Sequence, residues 1–278
     1  MSANSKLRIS TVNTWLRDAA EELAAVGITS ALLDAEIILA HTLRKSRTWL
    51  HAHHDDPLDP REYDIANARL ALRLDRTPIA YIIGHKEFYS RLFKVTPSVL
   101  VPRPESEAVI ELLKKYATKK SATTLVDVGT GSGCLGITAK LELPHLNVTL
   151  SDIDHRALVV AKANAELLGA SVQCIRSDLL RSVPGTFDII IANLPYVDKS
   201  WETSPETRYE PAGALFADNG GLALIESFLA QVPTHLAPHG LVLLEADPEQ
   251  HGAIILSAAS AGLSHEETSG YALAFLRD

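Results

Sequence analysis

The stretch Thr123-Thr124-Leu125-Val126-Asp127-Val128-Gly129-Thr130-Gly131-Ser132-Gly133 decides the fold. A short apolar run of β-formers opens into a loop with glycine at every second position, and a helical apolar pattern resumes at Leu135. Strand, glycine loop, helix is the first unit of a nucleotide-type α/β fold. The glycines let the chain turn tightly and let a ligand touch backbone. Next comes Val148-Thr149-Leu150-Ser151-Asp152, a second strand whose acid stands 19 positions after Gly133. A carboxylate at that strand end is placed to grip ribose hydroxyls.

The loop departs from the dinucleotide pattern. The spacing is G-x-G-x-G rather than G-x-G-x-x-G, and Asp127 stands two residues before the first glycine. A carboxylate there repels a pyrophosphate and suits a cationic ligand carrying an amino group and a sulfonium. S-adenosylmethionine is such a ligand, with Gly129, Thr130, Gly131, Ser132 and Gly133 as its backbone cradle. On this stretch alone, a glycine-rich turn in some other α/β enzyme stays open.

Working outward, further α/β units follow. A helix over 154–168 stops at Gly169, and Val172-Gln173-Cys174-Ile175 is a third strand. Its exit loop, Ser177-Asp178-Leu179-Leu180, flanks the adenine position, where Asp178 can accept from an exocyclic amine and Leu179 can pack on the ring. Residues 187–192 form a fourth strand and 223–236 a helix. Residues 241–245 form a fifth strand, entered from a turn at His239-Gly240. A helix over 253–261 and a last strand over 271–276 complete a three-layered domain.

The fourth strand ends in Ile189-Ile190-Ile191-Ala192-Asn193-Leu194-Pro195-Tyr196. Apolar residues without polar alternation suit a parallel strand covered on both faces. Pro195 cannot donate to a ladder, so the strand stops by Leu194. The following residues leave at the carboxyl end of the sheet, beside the glycine loop, where open α/β sheets bind ligands. There Asn193 offers a carbonyl and an NH2, Leu194 and Pro195 offer backbone carbonyls, and Tyr196 offers a flat face. That set can hold a planar group carrying an NH2. A strand ending in an ordinary proline turn is the plainer alternative for these residues alone.

The first part of the chain reads as helices. Apolar residues recur at the helical period over 10–26 and again over 31–43, with Thr11 or Ser10 and Ser30 or Thr29 as candidate caps and Gly27 as a stop. A short third helix holds Trp49 and Leu50. A fourth spans 60–74, with Pro60 near its first turn. Successive helices with short connections give a small bundle. His51-Ala52-His53-His54-Asp55-Asp56 has metal-ligand residue types, but no second cluster stands near it in sequence, and a solvated loop is the expectation. From Tyr81 to Val95 β-formers flank Ser90-Arg91, which predicts a hairpin linker over about 81–97. Val101-Pro102-Arg103-Pro104-Glu105-Ser106-Glu107 then runs extended into a helix reaching about Tyr116, with Pro104 in its first turn. The expected domains are a helical unit over 1–85 and an α/β unit over 86–278.

Composition bounds what such a protein can be. The chain has 278 residues, 46% hydrophobic and 22% charged, a normal soluble balance. Its net charge is −8, with 10 Lys+Arg against 11 Asp+Glu up to His85 and 16 against 23 beyond, so neither part is a basic nucleic-acid module. No apolar run approaches a membrane span, and residues 1–10 lack the apolar core of a signal peptide. Cys134 and Cys174 form no framework or metal-ligand spacing. A reduced, cytoplasmic setting is the expectation.

The combination of Asp127-x-Gly129-x-Gly131-x-Gly133, Asp152 and Asn193-Leu194-Pro195-Tyr196 resembles class I S-adenosylmethionine-dependent methyltransferases that alkylate planar nitrogens. Within that group the chain resembles the release factor glutamine methyltransferases, over nearly its whole length. The resemblance rests also on residues 76–84 with Phe88, on Val101-Pro102-Arg103-Pro104-Glu105-Ser106-Glu107, on Tyr209-Glu210-Pro211, on Gly220-Gly221-Leu222 and on Glu245 with Gln250. It departs at Leu194, where that family usually has Pro, and at Ser106, where it usually has Thr. The resemblance implies a Rossmann-like class I sheet with a smaller N-terminal helical bundle that recognises the substrate. It implies methylation of the glutamine amide in the Gly-Gly-Gln motif of class 1 translation release factors, without direct nucleic-acid binding. It implies Asn193, Pro195 and Tyr196 in the chemistry. Asn193 and the carbonyl of Leu194 or Pro195 hold the amide, and Tyr196 packs on its plane. Asn-Leu-Pro-Tyr also occurs in ribosomal RNA adenine dimethylases, and a similar tetrapeptide in an enzyme that methylates a ribosomal protein glutamine. Both remain as alternatives at this point.

Overall fold

In the computed structural model, residues 10–117 and 123–277 are described. The polar stretch read above against a signal peptide lies largely outside them. The chain forms two compact units. One comprises the residues up to Gly84 together with Pro205–Tyr209, and the other comprises His85–Ser204 and the residues from Glu210 onward.

The first unit is built from α1 (Val12–Ala25), α2 (Ala31–Leu43), α3 (Arg47–Ala52), α4 (Pro60–Leu74) and α5 (Ile79–Ile83). Thr11 caps α1 by accepting from the Thr14 amide at 3.2 Å, and Asp59 caps α4 by accepting from the Arg61 amide at 2.9 Å. Trp15, Leu23, Ala35, Ile38, Leu39, Leu50 and Ala66 make one apolar core. Trp15 Nε1 donates to Asn67 Oδ1 at 2.8 Å, so its indole nitrogen is not left dry. Arg73, itself buried, donates to Asp34 at 2.7 Å and to Glu206 at 3.0 Å. Through that pair, with Arg76, the short segment Pro205–Tyr209 joins the helical unit although it is distant in sequence. The histidine-rich stretch is engaged locally: His53 stacks on Trp49 at 4.0 Å and His51 pairs with Glu36 at 3.1 Å.

The predicted hairpin is shorter than expected. Tyr81–Ile83 belong to α5, which follows Pro78 and ends at Gly84 in the left-handed conformation. Propensity of the isoleucines for strand yields there to packing within the bundle. The hairpin itself is β1 (His85–Phe88) and β2 (Arg91–Lys94). Tyr89 and Ser90 both have positive φ at its turn, the conformation that matches the twist of flanking strands.

The second unit carries a seven-stranded sheet. After α6 (Glu107–Ala117) come β3 (Thr124–Val128), α7 (Cys134–Glu142), β4 (Asn147–Asp152), α8 (His155–Leu168), β5 (Val172–Arg176) and β6 (Phe187–Asn193). A two-residue pair, β7 (Val197–Asp198) with β8 (Phe216–Ala217), stands apart from the main sheet. Then follow α9 (Ala223–Leu229), α10 (Val232–His235), β9 (Leu236–Glu245), α11 (His251–Ser260), β10 (Leu263–Ser269) and β11 (Ala272–Arg277). The order across the sheet is β10-β11-β9-β6-β3-β4-β5, parallel from β9 to β5, with β11 antiparallel to both of its neighbours.

Successive side chains of one strand serve opposite faces. Leu125, Ile189, Ile191, Leu241 and Leu243 enter one apolar layer, while Val126, Ile190, Ala192, Val242 and Leu244 enter the other. Both faces are covered by helices, which explains the unbroken apolar runs.

Three expectations are corrected here. The single helix over 223–236 is two, because Pro233 sits at the start of α10 and cannot continue α9. The fifth strand begins at Leu236, and His239-Gly240 lies within it at an irregularity in the pairing with β6. The edge strand β10 was not anticipated: of Leu263-Ser264-His265-Glu266-Glu267-Thr268-Ser269, Leu263 alone is buried.

Candidate active site

All the glycine-loop residues descend from β3. Its carboxyl end delivers Asp127, which is 1% exposed. Asp127 Oδ2 accepts from Thr130 Oγ1 at 2.6 Å and from the Gly136 amide at 2.9 Å, while its Oδ1 is buried without a partner. Burial pushes its pKa up to about 6, against the two hydrogen bonds. Gly136 explains the close fit of α7 on this strand. A Cβ there would stand 2.3 Å from Leu150 Cδ2 and 2.9 Å from the Asp127 carboxylate.

Asp152 ends β4 and turns toward the same loop. Its Oδ2 accepts from the Gly131 amide and its Oδ1 from the Asp154 amide, each at 2.9 Å. Burial raises its pKa, and those backbone donors oppose the rise. Leu179 follows β5 with φ +52, and Asp178 beside it pairs with Arg181 at 2.7 Å.

Asn193 closes β6, next in register to Glu245 on β9 and to the strand that carries the glycine loop. Its Nδ2 donates to Ser106 Oγ at 3.2 Å. The Tyr196 hydroxyl donates to Glu245 Oε1 at 3.4 Å, and burial followed by the Glu245 charge raises the Tyr196 pKa. Gln250 Nε2 donates to the Tyr196 carbonyl at 2.8 Å and to the Gly220 carbonyl at 2.7 Å. Gly221 lies so near that an added Cβ would stand 1.9 Å from the Tyr196 carbonyl oxygen. Glu210, buried, binds the 101–104 segment: its Oε2 accepts from the Val101 amide at 3.0 Å and its Oε1 from Arg103 at 2.6 Å.

One cavity of about 460 Å³ joins these parts. Asp127, Gly129, Thr130, Gly131, Ser132, Asp152, Asp178, Leu179, Asn193, Leu194 and Pro195 line it. Two predicted residues do not line it. Gly133 starts α7 with φ +83, and a Cβ there would meet Ile137 Cδ1 at 2.6 Å, so glycine is needed for packing. Tyr196 packs against the apolar layer under β6 and β9, and its hydroxyl turns to Glu245 rather than walling the pocket. Sequence reasoning assigned no site role to Ser106, Glu210, Glu245, Gln250 or Gly136. The signal for Glu245 was an acid at a strand end, one strand over from Asn193.

The donor set fits S-adenosylmethionine. A buried carboxylate oxygen without a partner at the cavity suits a cationic amino group, and the glycine backbone lies open to a ligand. The PrmC N-terminal domain model matches residues 14–84, and the methyltransferase small domain model matches residues 105–259. A release factor glutamine methyltransferase of Bordetella pertussis is 34% identical over 235 residues, covering 83% of this chain and 87% of the relative. One of Cereibacter sphaeroides is 37% identical over 254 residues, covering 90% of each. The chain belongs to the release factor glutamine methyltransferases. A Pyrococcus furiosus methyltransferase shares the fold, with a TM-score of 0.54 at 22% identity over 76% of this chain and 98% of that one. The Rossmann-like class I sheet that the resemblance implied is therefore present. Among the described residues, no helix is long and apolar enough to cross a membrane.

Proposed function

We propose that this methyltransferase alkylates the side-chain amide nitrogen of the Gly-Gly-Gln glutamine in class 1 release factors, using S-adenosylmethionine. The observation that carries the reading is the cavity in which the glycine loop and Asn193-Leu194-Pro195 meet. S-adenosylmethionine, when bound, supplies an electrophilic methyl group on a sulfonium. Asp127 would face its amino group, Asp152 its ribose hydroxyls, and Leu179 with Asp178 its adenine.

An amide nitrogen is a poor nucleophile because its lone pair is delocalised into the carbonyl. Asn193 Oδ1 and the carbonyl of Leu194 or Pro195 accept its two hydrogens and hold the nitrogen in place. Positioning of this kind can lower a barrier by roughly 7–11 kcal/mol. Accepting both hydrogens also favours the positive charge that develops on nitrogen. Asn193 is therefore a positioning group and not a base, and the product sheds its proton to water. Glu210 holds the 101–104 segment at the cavity. The helical unit, with its family match over 14–84, is assigned to gripping the protein substrate.

The test is incubation of a purified class 1 release factor with the chain and S-adenosylmethionine. The expected result is a mass gain of one methyl group, mapped to the Gly-Gly-Gln glutamine. Methylation of RNA or of a ribosomal protein in its place would overturn the reading.

A further inference from the structure

Glu245 ends β9 directly beside Asn193, and the two are partners in register. It is 1% exposed, its Oε1 accepts from Tyr196, and its Oε2 is buried with no hydrogen-bond partner. The roles assigned so far give this carboxylate nothing to do. Ser106, also buried, stands against Asn193, and its hydroxyl accepts from Asn193 Nδ2. Having accepted, that hydroxyl has one proton left to donate. Ser106, Tyr196 and Asn193 all act on the Glu245 carboxyl and favour its charged form against burial.

A primary amide can turn over with almost no change of shape, and the turn exchanges a donor for an acceptor. The orientation of Asn193 thus decides what the cavity offers an incoming NH2 group. With Nδ2 committed to Ser106, the oxygen is left for the substrate. An anion behind the donor side favours that orientation, and a neutral group there does not.

We propose that Glu245, acting through Ser106, is a positioning residue that locks the Asn193 amide with its oxygen toward the acceptor, and that transfer requires Glu245 as the carboxylate. The proposal rests on the reading that Asn193 holds the acceptor amide. Ser106 stands where relatives were expected to carry Thr, and both residues supply the hydroxyl. The titratable groups that act on Glu245 include Glu105, Cys134 and Tyr196, with Asp247 and Tyr271 acting on Tyr196 in turn. Burial pushes Glu245 up to about 6. Below that pH the carboxyl becomes a donor, the amide loses its bias, and turnover falls on the acid side.

The experiment compares Glu245→Gln, Ser106→Ala and Ser106→Thr in the full chain, with release factor as substrate and saturating cofactor. Turnover is followed from about pH 5 to about pH 8, because kcat reports groups in the loaded enzyme. Glu245→Gln is expected to lower kcat at least about tenfold at neutral pH and to flatten the acid limb, with cofactor affinity by calorimetry within about twofold. Ser106→Ala should behave likewise, and Ser106→Thr should recover most of what alanine loses. Turnover of Glu245→Gln within about twofold of the unmutated chain, or an unaltered acid limb, overturns the proposal. So does a threonine variant no better than alanine. A second readout needs no activity: carbon-13 titration of the Glu245 carboxyl should move to higher pH in Ser106→Ala, since the hydroxyl that favours the charged form is gone. An unmoved titration overturns the relay. An unmutated chain that leaves release factor unmethylated fails the functional reading instead.

Discussion

The two halves of the cavity are built differently. In the half around the glycine loop, each fixing contact is local or spans adjacent strands. Thr130 and Gly136 reach Asp127 across 3 and 9 positions, and Gly131 reaches Asp152 across 21. In the half around Asn193 the partners are remote. Asn193 meets Ser106 across 87 positions, Val101 meets Glu210 across 109, and Gln250 meets Tyr196 across 54. The first half is a property of one strand-loop-helix unit and the strand that follows it. The second exists only when β6, β9 and the 98–106 segment are assembled. Damage to the first should therefore appear as lost cofactor affinity, and damage to the second as lost turnover.

The sharpest test of that division is Asn193→Ala. Cofactor affinity should stay near normal, because the glycine loop and both aspartates keep their partners. Turnover should fall by two or more orders of magnitude, about the loss of one contact made in the transition state. Single-turnover kinetics beside titration calorimetry separates the two quantities. A fall of less than about threefold in turnover would remove Asn193 from positioning.

The same division explains what could be read from the chain. The glycine loop, Asp127 and Asp152 were legible because β3, its loop and α7 are contiguous and their spacing carries the geometry. The unbroken run before Asn193 announced a strand covered on both faces, as β6 is. Glu245 and the position of Ser106 were recognisable from the family pattern, but no spacing tells that a serine and a glutamate 139 positions apart flank one amide. Gly221 was likewise visible as a glycine, yet its need arises from the Tyr196 carbonyl that approaches it. The edge strand β10 stayed hidden because a strand with one buried side chain has no apolar alternation to show.

Within the cofactor half, Asp152→Ala should weaken S-adenosylmethionine binding by roughly 1.5–3 kcal/mol through lost charge-assisted bonds to the ribose. Unchanged affinity in calorimetry would take Asp152 out of the site. Asp127→Asn should weaken binding about tenfold. Its sign with pH is fixed by the raised pKa of about 6. A cation binds the carboxylate, so affinity of the unmutated protein should fall as pH drops below about 6, and the asparagine variant should lose that dependence. In the cofactor-free protein the burial cost of the charge is present above pH 6 and relieved below it. Thermal unfolding of Asp127→Asn at neutral pH should therefore occur no lower than in the unmutated chain. A clear drop would mean that the carboxylate is held by the fold and not kept for a ligand.

Asp178→Asn should have the smallest effect, although its position after β5 made it as plausible a cofactor ligand as Asp152. The difference lies in surroundings. Asp152 is turned inward by the Gly131 and Asp154 amides and shares a loop with the cavity. The Asp178 side chain is 44% exposed and already paired with Arg181 three residues on, in solvent. An exposed pair of this kind contributes at most about 1 kcal/mol, and a neutral amide in its place can still accept from an exocyclic amine. Cofactor affinity of Asp178→Asn should stay within about threefold of the unmutated value, and turnover at saturating cofactor should not move. A loss as large as that of Asp152→Ala would show that the adenine end is gripped by charge, and that the Arg181 pair opens when the ligand arrives. The cofactor half would then depend on a side-chain rearrangement, and its contrast with the Asn193 half would narrow.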